Sequence, residues 1–432
     1  MLPADRGEPM KVTPQKMSGV DLTFSAPPSK SFTHRALIAG ALAKGTTTIF
    51  RPLEADDTRL TATALRKLGV KIVEENRRWI VTGCDGTIRN NPGTTLDLEN
   101  SGTSLRLLTT LALLCSHPVV LSGSARMQER PIGPLAGALP AIGGSVEFLK
   151  NPGFPPLRVS GQLTGGPIVI DGSVSSQFIS SILMAAPYAK NGIEVRIPAP
   201  PASASYLDIT VSVMEAFGAQ VTRTGYDRFA VSNTGRYTGR RYTIEGDYSS
   251  ASYFFAIAAA CGGRVRVNNL VPQSVQGDRR FPEALAAMGC SVTYGKDAVT
   301  VERTGPLTGI TFDMATSPDT VQTLCAVAAV AQGPTLITGI GHLKFKESDR
   351  INDTAQQLRA LGCGVEVGSD YLRIVPAPLH GGTIDPADDH RMAMSFAVLG
   401  LAAGGITIGN AECVNKSFPG FWEMLEQAGV KV

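Results

Sequence analysis

Two kinds of apolar pattern alternate along this chain, and the alternation recurs six times. One is amphipathic, with apolar positions at helical spacing, and it always runs into a glycine and a short apolar strand. It reads ALRKLGVKI, ALPAIGGSV, VMEAFGAQV, ALAAMGCSV, QLRALGCGV and MLEQAGVKV, with Gly69, Gly143, Gly218, Gly289, Gly362 and Gly429 spaced 74, 75, 71, 73 and 67 residues apart. Each glycine suits a left-handed helix C-cap, which a residue without Cβ adopts without a clash. The other pattern is apolar nearly all round: ALIAGALAKG, LRLLTTLALLCSHP, FISSILMAAPYAKNG, SYFFAIAAACGG, VQTLCAVAAVAQG and RMAMSFAVLGLAAGG. A strand follows each of these (TTTIF, VVLSG, IEVRI, RVRVN, TLITG, ITIGN), and after five of the six glycine endings a further strand returns, as in RRWIVTG and YLRIVPA. The predicted unit is apolar helix, strand, polar loop, amphipathic helix, glycine, strand.

Helices that are apolar on every side must be buried on most sides. Six copies with many small residues predict helices clustered inside and sheets outside. An open solenoid usually repeats a shorter unit, so two closed domains of three units each fit better. The break is expected near Tyr242–Asp247, with the strand before Pro27 joining the second half. The expected domains are 1–28 with 246–432, and 29–245, joined by two crossing segments.

Polar residues gather just before the helices. Ahead of the apolar ones stand PSKS, NSGTS, SVSSQ, GDYSSAS, SPDT and DDHRM, all rich in capping residues. Ahead of the amphipathic ones stand ADDTR, ARMQERP, SASYLD, GDRR, KFKESDR and NKSFP. The stretch A-P-P-S-K-S-F-T-H-R at 26–35 is the most informative. Two prolines stop the preceding strand, Ser29 can cap the next helix, and Lys30, Ser31 and Arg35 stand at that helix's start. Open N–H groups, a hydroxyl and two cations there suit an anion such as phosphate or carboxylate. GDYSSAS is read as caps alone. Related units would aim several such helix starts towards one end, where the domains face each other.

Composition narrows the alternatives. The chain of 432 residues is 43% hydrophobic and 18% charged, with a net charge of +3, which describes a globular protein. It has no Lys/Arg run, so nothing marks a nucleic-acid partner. Seven scattered cysteines without C-x-x-C, and five histidines without H-x-x-x-H, argue against a metal centre and for a reducing, cytoplasmic setting. The first ten residues lack a signal-peptide core, and no apolar run is long enough for a membrane span.

Eight segments, in order along nearly the whole chain, resemble the 5-enolpyruvylshikimate-3-phosphate synthase family of the enolpyruvyl transferase superfamily. They are S-K-S-x-x-x-R (29–35), N-S-G-T-S-L-R (100–106), R-M-x-E-R-P-I-G (126–133), D-G-S-V-S-S-Q-F (171–178), G-D-x-S-S-A-S-Y-F (246–254), K-E-S-D-R (346–350), D-H-R-M-A-M (389–394) and N-K-S-F-P (415–419). The resemblance implies an inside-out α/β barrel of the α+β class, with six βαβαββ units, three per domain, and domain closure on substrate. It implies transfer of the enolpyruvyl group of phosphoenolpyruvate to the 5-hydroxyl of shikimate 3-phosphate, on the route to chorismate and aromatic amino acids. No metal or organic cofactor is required, and a monomer is expected.

Carried over by motif, Lys30, Ser31 and Arg35 would meet the substrates at the first helix. Ser175, Ser176, Gln177 and Ser203, with Tyr206 nearby, would hold shikimate 3-phosphate. Arg130, Arg350, Arg391 and Lys416 would clamp phosphoenolpyruvate, with Gln177 touching both ligands and Gly102 admitting the anion close to the backbone. Asp319 would accept hydrogen bonds from the ring hydroxyls and then a proton, assisted by Lys346, and Glu347 would transfer a proton at the methylene carbon. His390 is given no proton-transfer role. Planar guanidinium forks suit an anion bearing phosphate and carboxylate, and addition across an alkene needs a base and an acid in separate places.

The chain departs from the family pattern at three places. Pro28 replaces a usual Gly, His342 a usual Asn that helps bind shikimate 3-phosphate, and Leu107 a usual Pro. Retention of Gly102 implies sensitivity to glyphosate. Two alternatives are weighed against the main expectation. The first is the sister transferase acting on UDP-N-acetylglucosamine, whose reactive loop cysteine has no counterpart between Cys115 and Cys261. The second is a non-catalytic binding relative, which should have lost some of Lys30, Asp319, Glu347, Arg350 and Lys416. As plain structural roles, Asp319 would be a helix cap, and Glu347 and Asp349 would pair with Lys346 and Arg350 on a solvated face.

Overall fold

A computed structural model describes residues 8–432. The helices come as six pairs: α1 (Lys30–Leu42) and α2 (Asp56–Lys67), α3 (Gly102–Leu111) and α4 (Gly133–Ala138), α5 (Ser176–Ala185) and α6 (Ser205–Ala216), α7 (Tyr248–Cys261) and α8 (Phe281–Ala287), α9 (Val321–Ala328) and α10 (Asn352–Ala360), α11 (His390–Ala403) and α12 (Phe421–Gln427). The first helix of each pair is the apolar one. Every residue of α7 is buried, as its composition requires, and α7 packs against α9 and α11. The second helices are half exposed. In α2, Asp56 and Asp57 lie in the first turn and Arg66 and Lys67 in the last, each favourable to the helix dipole. All six ending glycines have φ between 82° and 107°, the left-handed C-cap expected of them.

The strands form five four-stranded sheets and one pair among the described residues. Each four-stranded sheet combines a parallel edge pair with two antiparallel pairings. In one, Val20–Ser25 runs parallel to Gly263–Asn268, and Ala298–Arg303 and Ser291–Tyr294 complete it. Buried residues alternate with half-buried or exposed ones on strands such as Arg78–Thr82, so one face packs on the core and the other lies nearer solvent. Helices inside and sheets outside is therefore the observed layering. The pair, Gly382–Ile384 with Ile406–Ile408, is completed by the N-terminal segment: Val12 exchanges two backbone hydrogen bonds with Ile408, of 3.0 and 2.7 Å.

The chain divides into two compact units. Unit 1 joins the residues up to Pro27 with Gly246–Val432, and unit 2 is Pro28–Glu245. Each has its own apolar core, built on α7, α9 and α11 in unit 1 and on α1, α3 and α5 in unit 2. No described helix is long and apolar enough to cross a membrane, and all seven cysteines are free thiols.

Candidate active site

In unit 2 the starts of α1, α2, α3 and α5 are tied together by side chains. Lys30, the first residue of α1, forms an ion pair of 3.0 Å with Asp57 in the first turn of α2. The Asp57 carbonyl accepts from Ser104 of α3 at 3.3 Å, and Ser104 bonds Thr61 and Ser101, both at 2.7 Å. Ser29 takes the N-cap position of α1, but its hydroxyl is buried without a partner and makes no cap bond, contrary to the cap expected from its position. The Ser29 carbonyl instead receives the N–H and hydroxyl of Thr33, at 3.0 and 2.8 Å, which secures the first turn without the serine side chain.

Gly102 opens α3 between two guanidinium groups. A Cβ built there would lie 2.7 Å from Cζ of Arg130 and 2.9 Å from Nη1 of Arg106. Arg130 donates to the carbonyl and side-chain oxygens of Asn100, at 2.9 and 3.0 Å. Arg106 donates to Oε1 of Gln177 at 2.9 Å, and Gln177 donates to Thr103 at 2.9 Å. Ser175 caps α5 through the Gln177 N–H, and Ser176 begins that helix, buried. Ser31 is half-buried beside Lys30. Ser203 is buried with φ +55°, a conformation that L residues rarely adopt, just before α6. Arg35 is enclosed: it donates to Thr210 at 2.8 Å, to the Ser31 carbonyl at 3.0 Å, to the Tyr206 carbonyl at 3.3 Å and to Ser180 at 3.4 Å. Burial pushes its pKa down to about 10.

Unit 1 gathers Asp319, Glu347, Arg350 and Arg391 into one cluster. Arg350 is the hub, with ion pairs of 3.0 Å to Asp319, 2.9 Å to Glu347 and 2.7 Å to Asp389. Burial opposes its charge, but Asp389, Glu347 and Asp319 outweigh burial and hold the guanidinium above its ordinary range. Arg391 donates to the Asp319 carboxylate at 2.6 Å and to its carbonyl at 3.1 Å. Asp319 thus receives two arginines and is no simple cap. Glu347 does pair with Arg350, but in the interior, where the two side chains are 10% and 2% exposed, not on a solvated face. Asp349 binds the N–H and side chain of Asn352, at 3.1 and 2.8 Å. Asp247 caps α7 through Ser250, the capping role expected of GDYSSAS.

Lys346 comes directly after the turn Gly341–Phe345, which also carries His342. Burial first, then the positive charge of Lys346, lowers the His342 pKa to about 3, so its imidazole is neutral at physiological pH. Lys416 ends the turn Ala411–Lys416, half-buried. The predicted residues therefore form two sets: Lys30, Ser31, Arg35, Gly102, Arg130, Ser175, Ser176, Gln177 and Ser203 in unit 2, and Asp319, Lys346, Glu347, Arg350, Arg391 and Lys416 in unit 1. Sequence reasoning missed Asp57, Arg106 and Asp389 as partners of these groups. Arg106 and Asp389 lie inside the family segments, and Asp57 in the polar loop ADDTR, so proximity was the available signal.

The layering and the two arginine-rich helix-start clusters define an enolpyruvyl transferase fold. Two solved structures of EPSP synthase from Acinetobacter baumannii superpose with TM-scores of 0.80 and 0.79, each at 29% identity and covering 98% of both chains. The chain belongs to the EPSP synthase (3-phosphoshikimate 1-carboxyvinyltransferase) family, whose model matches residues 14–425. Among curated relatives, the 3-phosphoshikimate 1-carboxyvinyltransferase of Methanoregula boonei is 62% identical over 97% of this chain and 99% of its own. That of Methanoculleus marisnigri is 63% identical over 95% and 97%.

Proposed function

We propose that this chain transfers the enolpyruvyl group of phosphoenolpyruvate to the 5-hydroxyl of shikimate 3-phosphate, releasing phosphate and forming 5-enolpyruvylshikimate 3-phosphate. The observation that carries this is the cluster in which buried Arg350 and Arg391 hold half-buried Asp319 and Glu347, in a chain whose near-full-length relatives bear that activity's name. In the addition, the hydroxyl oxygen bonds to C2 of phosphoenolpyruvate, its proton passes to Asp319 with help from Lys346, and the methylene carbon C3 gains a proton from Glu347. In the elimination, the C2–O bond to phosphate breaks and C3 returns a proton, restoring the alkene. Arg130, Arg350, Arg391, Lys416 and Lys30 neutralise the phosphoenolpyruvate anion, with Gln177 beside it and Gly102 allowing a close backbone approach. Lys30, Ser31, Arg35, Ser175, Ser176, Gln177 and Ser203 hold shikimate 3-phosphate together with Asp319 and Lys346. A neutral His342 offers one donor and one acceptor, which suits a contact that an amide makes elsewhere in the family.

The enzyme is taken to work as a cytoplasmic monomer without a cofactor. Purified protein is incubated with phosphoenolpyruvate and either shikimate 3-phosphate or UDP-N-acetylglucosamine, and phosphate release is followed. Release with the first acceptor alone is expected, and none with it rejects the proposal. Because Gly102 is retained, glyphosate should inhibit in competition with phosphoenolpyruvate. Undiminished turnover in excess glyphosate at subsaturating phosphoenolpyruvate would refute that part.

A further inference from the structure

One buried carboxyl beside the unit 1 cluster has no part in the chemistry of enolpyruvyl transfer. Asp278 lies in the turn Gly277–Arg280 and is 3% exposed. The Ser249 hydroxyl donates to its Oδ2, while its Oδ1 has no hydrogen-bond partner. A carboxylate with one oxygen unmatched in the interior is strongly disfavoured against the neutral acid. Its turn is fastened to the turn that carries Asp319: Ser317 donates to the Gly277 carbonyl at 2.7 Å, and Arg280 donates to Thr316 at 2.8 Å. On the other side Gln276 accepts from the Tyr248 N–H at 2.9 Å and donates to the Gly246 carbonyl at 2.8 Å, which anchors the turn to the start of α7. The charged groups near enough for their fields to act on Asp278 are Asp319 from the turn Pro318–Thr320, Arg391 from α11 and Asp247 from the cap of α7. On its own turn, Arg279 is exposed and donates to the Pro272 carbonyl, and Arg280 is engaged with Glu283 and Thr316.

We propose that Asp278 is a positioning residue for the anion clamp: as the neutral acid it leaves the Arg391 guanidinium committed to Asp319 and the incoming anion, and its ionisation draws that positive field away from the anion. The proposal rests on Arg391 binding phosphoenolpyruvate. Burial, and then the charges of Asp319 and Asp247, raise the Asp278 pKa against the pull of Arg391 and Ser249, to about 7. The change is therefore set within the working range of pH. On ionisation one proton leaves to solvent and the cluster becomes one charge more negative. Asp278 exchanges no proton with substrate, and its titration acts through the field it sets at Arg391 and Asp319.

The test compares wild type, Asp278→Asn and Ser249→Ala in steady-state kinetics from pH 6 to 9 with shikimate 3-phosphate saturating. Phosphoenolpyruvate ionises identically in all three, so ratios between variants cancel its own titration. Relative to Asp278→Asn, wild-type KM for phosphoenolpyruvate should rise about tenfold above neutrality, the effect of one nearby charge at partial burial. Ser249→Ala removes a hydrogen bond that favours the carboxylate, so the midpoint of that rise should move to higher pH. Parallel KM curves for wild type and Asp278→Asn overturn the proposal. Should Asp278→Asn fail to fold, an unmoved midpoint in Ser249→Ala, measured against wild type, overturns it instead. Absence of phosphate release by wild type would strike the functional proposal itself, and this one with it.

Discussion

Arg350 carries an unusual electrostatic demand for a single side chain, since three carboxylates converge on it in the interior. Removing one member of such a group strands the others without compensation, which costs about 3–5 kcal/mol. Arg350→Ala should lose roughly that much in a denaturant titration, and an unchanged midpoint would show that solvent already reaches the cluster. Asp319→Asn tests a different property, because the amide keeps the shape but cannot take up a proton. Turnover should fall by about 10²–10⁴-fold with far smaller changes in ligand affinity, and a nearly unchanged rate would remove Asp319 as base. Asp278 supplies a pH test of stability. Its pKa is raised from 3.8 to about 7 in the folded chain, so the native state holds a proton that the unfolded chain has lost. The favourable contribution of that proton fades as pH climbs through this window. The Tm of Asp278→Asn relative to wild type should therefore increase from about pH 4 to pH 7 and level off beyond. The family resemblance pointed to Arg350, Arg391 and Asp319 as site residues, and the fold brings these three side chains into contact. Sequence alone could not identify Asp389 as their counter-ion, because an aspartate before a helix looks the same whether it caps the helix, as Asp389 does through the Arg391 N–H, or also neutralises a buried arginine.

At the level of elements, what could be read from the sequence depended on how local the cause was. The left-handed glycine endings were legible because the demand for positive φ arises within one turn. The cap at Ser29 was misjudged because burial of the serine hydroxyl is set by tertiary packing. The glycines differ in what surrounds them. Gly429, with φ +82°, has nothing within 4 Å of a built Cβ, so Gly429→Ala should cost only the left-handed penalty of about 1–2 kcal/mol. At Gly143 the same Cβ would collide with the Gln162 carbonyl and lie 2.8 Å from Thr164 Oγ1, so Gly143→Ala should be clearly more destabilising. Equal losses in parallel thermal melts would reject this ranking. Gly102 has no positive φ, so its alanine variant should keep the fold. The added methyl must displace Arg130 or Arg106, and a misplaced cation of that kind should raise KM for phosphoenolpyruvate by about 10–100-fold. An unaltered KM would mean that Arg130 and Arg106 yield without consequence.

Across the whole molecule, the six-fold pattern revealed the number of units, but periodicity carries no information on which distant strand closes a sheet. The sixth unit illustrates the difference. Its glycine ending is followed by no returning strand, and residues from the opposite end of the chain supply the missing backbone partners. Val12 pairs with Ile408, Gln15 donates to the Lys431 carbonyl at 2.9 Å, and Met17 donates to the Leu401 carbonyl at 2.7 Å. Met10, Val12 and Pro14 alternate with Lys11, Thr13 and Gln15, but so short a run, ended by a proline, does not say which distant segment it joins. Each such hydrogen bond contributes about 0.5–1.5 kcal/mol, and Val12 is also buried against the core of unit 1. Deleting residues 1–17 should therefore loosen one unit and spare the other. Hydrogen exchange at Ile406, Thr407 and Ile408 should accelerate, while amides in the strand Arg78–Thr82 of unit 2 keep their protection. Equal acceleration in both would mean that the two cores unfold as one, and no acceleration in either would mean that the N-terminal segment only rests on the sheet it borders.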